Sequence, residues 1–163
     1  MKFSHIARSG LTERLRRLFG GNPPRVQAAA LPWRQAKDGI EVLLVSSRGT
    51  GRWILPKGWP EGRESLSVAA AREAMEEAGI KGAVGDTEIG RYIYGKQTDS
   101  GLEWRCEVAV FPLQVKDERD RWPEKKKRAR LWVSPKKAAD MVQEPDLAAL
   151  IAAFDGNPRK IAA

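Results

Sequence analysis

One cysteine and one histidine are all that 163 residues offer of the two side chains most used for nucleophilic and proton-shuttle chemistry. The lone thiol, Cys106, excludes a disulfide framework. It sits in an apolar stretch without a neighbouring Cys or His, which reads as a buried structural residue in a reducing compartment. His5 stands alone near the start, so a histidine-based mechanism is not expected. No apolar run approaches the ~18 residues of a membrane-spanning helix, and the basic start lacks the apolar core of a secretory signal. The compartment implied is the cytoplasm, with an organelle transit peptide as the competing reading that Glu13 and the short length count against.

Negative charge is the scarcer sign. The formal net charge is +8, which favours polyanionic partners such as nucleotides, inositol phosphates or nucleic acid. Part of it lies in Lys2, Arg8, Arg14, Arg16, Arg17 and Arg25. Leu11, Leu15, Leu18 and Phe19 share rough helical spacing there, so residues 10–19 are expected to form a short basic amphipathic helix, followed by a Gly20–Pro24 linker. The chain thus divides into a basic extension (1–24), one domain (25–155) and a short tail (156–163).

The acids that are present are not scattered. Between Gly58 and Ile80 the chain reads Gly58-x5-Glu64-x7-Arg72-Glu73-Ala74-x-Glu76-Glu77-x-Gly79-Ile80. Leu66 to Ala78 contains five alanines and neither Gly nor Pro, which predicts a helix. At about 100° per residue, Glu73, Glu76 and Glu77 share roughly one third of its circumference. Three carboxylates on one face repel each other, and a hard cation relieves that repulsion. A solvated acidic face is the bland alternative, but it would not also require the upstream glycine turn and Arg72. The preceding Leu55-Pro56-Lys57-Gly58-Trp59-Pro60 is a loop by its Gly and Pro content. Gly79 supplies a helix stop.

This arrangement resembles the signature box of the Nudix hydrolases, with each invariant position filled. The Trp53-Ile54-Leu55-Pro56-Lys57-Gly58-Trp59 approach and the basic segment before Trp132-Val133 resemble the subgroup of diphosphoinositol polyphosphate phosphohydrolases and diadenosine polyphosphate hydrolases. The loop departs from it at Lys57-Gly58-Trp59, where animal inositol enzymes tend to carry a run of glycines, so inositol substrates are less secure than phosphoanhydrides in general. The resemblance covers roughly residues 25–155. It implies an α/β/α sandwich with a mixed sheet, and Mg²⁺ as cofactor with Mn²⁺ as the alternative. The ligands it implies are Glu73, Glu76, Glu77 and a backbone carbonyl around Lys57 or Gly58, with Glu73 or Glu76 as general base. Glu64 and Arg72 would form a bracing pair. A further carboxylate from outside the box is common in the family; Glu103, Glu118 and Glu124 are the candidates.

Two basic segments bear on substrate choice. Arg48, Arg52 and Lys57 surround the loop that meets a phosphate chain, and as a group they favour a substrate with many negative charges. Lys125 to Arg130 reads more simply as a solvated loop.

The remaining chain predicts strands over 26–34, 40–46, 53–55, one or two within 82–97, 102–115 and 130–133. Thr98 to Gly101 is a turn and 117–127 a polar connection. A helix begins with Ser134 as N-cap and Pro135 at its first position, and another covers 145–154. The function expected is metal-dependent hydrolysis of a dinucleoside polyphosphate or diphosphoinositol polyphosphate. Pyrophosphate removal from triphosphorylated RNA is the alternative, permitted by the charge and six tryptophans, though nucleic acid is the less favoured partner. A non-catalytic binding module stands third, since this chain has lost none of the box acids.

Overall fold

The computed structural model describes residues 25–97 and 103–157, with side chains over 26–95 and 105–157. The basic helix expected at 10–19, its linker, the turn at 98–101 and most of the tail lie outside these residues.

Eight strands, β1 (Arg25–Ala36), β2 (Gly39–Ser46), β3 (Trp53–Ile54), β4 (Lys57–Gly58), β5 (Ile80–Val84), β6 (Gly90–Gln97), β7 (Glu103–Glu118) and β8 (Arg130–Val133), form one mixed sheet among the described residues. Its centre is the parallel pair β1 and β7, in register from Arg25 with Cys106 to Trp33 with Gln114. On its other edge β1 pairs antiparallel with β4 at Ala28 and Ala29, then with β2 from Trp33 onward. β7 likewise pairs with β6 along its first half and β5 along its second. Three helices complete the fold among the described residues: α1 (Leu66–Ala78), α2 (Pro135–Met141) and α3 (Pro145–Ala153). No helix among the described residues is long and apolar enough to cross a membrane.

The central strands read as continuous apolar runs because both faces are covered. Ala28 and Ala30 point to a cluster with Leu43, Val45, Phe111 and the α1 alanines Ala69, Ala70, Ala74 and Ala78. Ala29 and Leu31 point the opposite way, to Val42, Leu44, Val108, Val110 and, from α2 and α3, Ala138, Leu147 and Ile151. Alternation along a strand therefore builds two cores, and the architecture is an α/β/α sandwich. Cys106 is fully buried in β7.

The element boundaries differ from the sequence expectations in instructive places. Lys57-Gly58, read as loop, is a two-residue strand, because β1 offers unpaired backbone at Ala28 and Ala29. The segment 82–97 resolves into β5, which starts at Ile80, and β6. β5 shifts register between Lys81 and Gly82, where a β-carbon on Gly82 would stand 1.9 Å from the Gln114 carbonyl. β7 continues to Glu118 because β5 pairs with it that far. Ser134 caps α2 by accepting from the Lys137 N–H, with Pro135 at the first position.

Candidate active site

The site forms where β4 passes the middle of α1. Helix α1 starts at Ser65, whose hydroxyl accepts from the Val68 N–H, and stops at Gly79 in the left-handed region (φ 68°). Four alanines seat its inner face against the sheet, so the backbone comes close to β4 and the glutamates meet the loop. At Gly58 the approach is closest: an added β-carbon would fall 2.1 Å from Oε1 of Glu73. Space, not backbone angle, favours glycine there, because a β-carbon would displace the end of the Glu73 side chain.

Arg72 organises the outer half of the site. Its Nε donates to Glu64 Oε1 at 3.1 Å and its Nη2 to Glu64 Oε2 at 3.1 Å and to the Trp59 carbonyl at 2.9 Å. Its Nη1 meets Glu73 Oε1 at 2.7 Å and Glu76 Oε2 at 3.4 Å. Loop and helix are thus tied through one guanidinium. Burial opposes the Arg72 charge, and the carboxylates of Glu64 and Glu73 more than offset it, so its pKa is raised. The hydrogen bond from Arg72 holds the Glu64 carboxyl below its ordinary value.

The three clustered glutamates differ in environment. The Glu76 side chain is 46% exposed, whereas Glu73 and Glu77 are largely enclosed. Burial raises the Glu73 pKa against the pull of Arg72, with Glu76 and Glu124 adding to the rise. Glu77 lies deepest. Its Oε1 accepts from Arg128 Nη2 at 2.6 Å and its Oε2 from the Lys57 N–H at 3.1 Å. Burial pushes its pKa up to about 7 despite Arg128. The ion-pair geometry calls for the ionised carboxylate while burial opposes it. Burial outweighs the lowering by Arg128, the Lys57 N–H and the Lys57 ammonium, and the neighbouring Glu73 adds to the rise.

The chemistry of the donor set fits a hard divalent cation. A single positively charged nitrogen already stands within 3.4 Å of both Glu73 and Glu76. Among the described residues, however, no three ligating side chains converge closely enough to hold a metal as they stand. Arg72 and Arg128 engage the carboxylates instead.

The predicted basic residues separate into two places. Arg48 lies beside the glutamates, 3.3 Å from Glu124. Arg52 lies across the sheet edge, donating to Gln143 Oε1 at 2.8 Å and facing Glu144 at 3.7 Å, with its Nε buried and without a hydrogen-bond partner. Lys57 is on that side too, its ammonium 5.0 Å from the Tyr94 ring. Burial lowers its pKa, with Glu77 acting in the opposite direction.

Of the three acids considered beyond the box, Glu124 reaches the site, through Arg48 and Arg128. Glu118 instead pairs with Arg34 and Arg130 away from it, and the Glu103 side chain lies outside the described residues.

Sequence reasoning missed the role of the segment 119–130. It wraps the C-terminal end of α1 and satisfies consecutive carbonyls that a helix end leaves open. The Glu124 N–H donates to Glu76 O, Trp122 Nε1 to Glu77 O, Arg130 Nη1 to Ala78 O and the Arg119 N–H to Gly79 O, all at 2.9–3.1 Å. Lys125, Lys126 and Lys127 are exposed as expected of a solvated run, but Arg128 is buried against Glu77. The one available signal was the change from Lys to Arg within the run, since Arg is preferred for buried ion pairs. Trp59, beside the loop, is among the exposed large apolar side chains.

Residues 23–154 match the family profile described as NUDIX domain. Nudix hydrolase 16, mitochondrial, of Arabidopsis thaliana is 35% identical over 134 residues, covering 74% of each chain. Several further Arabidopsis relatives are matched over only about half to two thirds of their own length. Diphosphoinositol polyphosphate phosphohydrolase 3-beta of Bos taurus is 35% identical over 95 residues, 52% of this chain and 58% of its own. In fold, the chain is similar to a C. elegans Ap4A hydrolase binary complex, with a TM-score of 0.59 at 20% identity over 78% of this chain and 93% of that one.

Proposed function

Because this chain belongs to the Nudix hydrolase family, we propose that it hydrolyses a phosphoanhydride bond in a highly phosphorylated small molecule. A dinucleoside polyphosphate or a diphosphoinositol polyphosphate is the substrate class. The observation that carries this is the meeting of Glu73 and Glu76 on one side of Arg72, against a glycine that leaves no atom between helix and loop.

Glu73, Glu76 and Glu77, with a backbone carbonyl near Gly58, would hold Mg²⁺ or Mn²⁺. Such an ion supplies charge neutralisation on the phosphate oxygens and a more acidic water. Glu73 or Glu76 takes the proton as the water oxygen attacks phosphorus and the P–O–P bridge breaks. Glu73 is favoured, because it is the more enclosed of the two and lies against Gly58 at the loop. Arg52 and Lys57 bind phosphates farther along the chain. Arg48 serves the same purpose on the α1 side.

The test is product identification with Mg²⁺ or Mn²⁺ over diadenosine polyphosphates, a diphosphoinositol polyphosphate and triphosphorylated RNA. Release of nucleotide or phosphate from the small molecules supports the proposal. Faster turnover of the RNA would transfer it to the 5′-end pyrophosphohydrolase reading, which the exposed lysines 125–127 and Trp59 favour. Tight binding without product under either cation would leave only a sensing module.

A further inference from the structure

We propose that Arg128 is a resident counter-cation on Glu77 that a divalent metal must displace to load the site. The inference rests on the reading of Glu77 as a metal ligand. Both Glu77 oxygens already face donors, one from Arg128 and one from the Lys57 backbone. The guanidinium is itself enclosed, its side chain only 8% exposed, and its remaining donors go to Glu124 and to the Ser46 carbonyl at 3.0 Å. This is a built contact between buried groups, not a surface ion pair.

A divalent ion and a guanidinium cannot share that oxygen cheaply. Mg²⁺ demands close, near-octahedral oxygen ligands, and two cations a few ångströms apart in an enclosed site repel strongly. Metal loading is therefore an exchange. The backbone around Arg128 need not move for it, because Arg119, Trp122, Glu124 and Arg130 pin the segment to the end of α1. A side-chain rotation suffices, and the carbonyl of Ser46 and the carboxylate of Glu124 remain as partners for the released group. The pair also explains how a metal-free protein keeps three neighbouring carboxylates folded on one helix face: Arg72 takes Glu73 and Glu76, and Arg128 takes Glu77.

Competition of this kind weakens metal binding by a coupling factor. The test is Mn²⁺ titration of the full chain by calorimetry and electron paramagnetic resonance, comparing wild type, Arg128→Gln and Lys127→Gln at one pH. R128Q is expected to bind Mn²⁺ about tenfold more tightly, and K127Q, which removes an exposed charge from the same segment, within about twofold of wild type. Equal or weaker binding by folded R128Q overturns the proposal. So does an equal gain in K127Q, which would make the effect one of net charge, and so does absence of Mn²⁺ binding to all three proteins. Should R128Q not fold, a crystal structure of the wild type with Mn²⁺ decides: a broken Arg128–Glu77 contact supports exchange and a retained one ends it. Absent turnover with Mn²⁺ bound would sink the hydrolase reading alone; unchanged affinity in an active R128Q would sink only this one.

Discussion

Gly58 and Glu73 share a single space: the β-carbon that any other residue would place at position 58 falls 2.1 Å from Oε1 of Glu73. The obstructing atom ends a flexible side chain, so the glutamate can yield. Gly58→Ala is therefore expected to fold, with a stability loss of about 1 kcal/mol. Displaced from Arg72 and the loop, Glu73 would be off line, and kcat should fall on the order of 100-fold. Thermal unfolding beside steady-state kinetics separates the two effects; an active G58A would show that close approach at this point is dispensable.

Glu76 offers the cleanest test of the acidic face. Its side chain is 46% exposed and its contact with Arg72 is the longer one, so Glu76→Gln leaves the core alone. Turnover should drop by at least ~100-fold with Mg²⁺, and Mn²⁺ affinity should fall with it. Circular dichroism and unfolding midpoint should match wild type. Retained activity would remove Glu76 from both assigned roles.

Glu77 makes metal-free stability depend on pH. Its pKa is held up to about 7, against 4.5 for an ordinary glutamate, chiefly by burial. The folded state therefore keeps a proton that the unfolded chain has lost between those values. Its contribution is fully present below pH 4.5 and declines as pH rises toward 7. Urea midpoints without metal should fall between pH 5 and 8 by more in wild type than in Glu77→Gln. Parallel curves for the two proteins would refute the assignment. Mn²⁺, which binds the ionised form, should bind more tightly over the same interval.

Trp122 tests the clasp on α1. Its indole N–H donates to the Glu77 carbonyl at 3.0 Å and its ring lies 3.0 Å from where a β-carbon on Gly79 would sit. Trp122→Phe keeps most of the packing and leaves that carbonyl open, at a cost of about 1 kcal/mol. For a domain of this size the melting temperature should fall by roughly 2–4 °C. No shift would mean that water replaces the indole without loss.

Arg52 and Arg48 should be distinguishable by substrate length. Arg52 lies beside Gln143 and Glu144, and Arg48 is engaged with Glu124. Arg52→Gln is expected to raise KM about tenfold for the longer phosphate chains, and less for short ones. Equal effects on long and short chains would take Arg52 out of substrate selection.

Which parts of this were written locally follows from the range of the forces involved. Helix α1, its glutamate face and its Gly79 stop were legible because periodicity, alanine content and the glycine act within a few residues. The buried strands were legible as apolar runs. The pairing of Glu64 with Arg72 was implied by the resemblance to the family box, and the contact is found as expected. Tertiary structure alone brought Arg128 to Glu77, across 51 positions, and turned a polar, lysine-rich connection into the cap of α1. It also placed Arg52 beside Gln143 and Glu144 and Arg48 beside Glu124, with Lys57 in electrostatic reach of both Glu77 and Glu144. A side chain's spacing states what it can reach along its own helix; which charge is buried against which depends on how distant strands close the sheet.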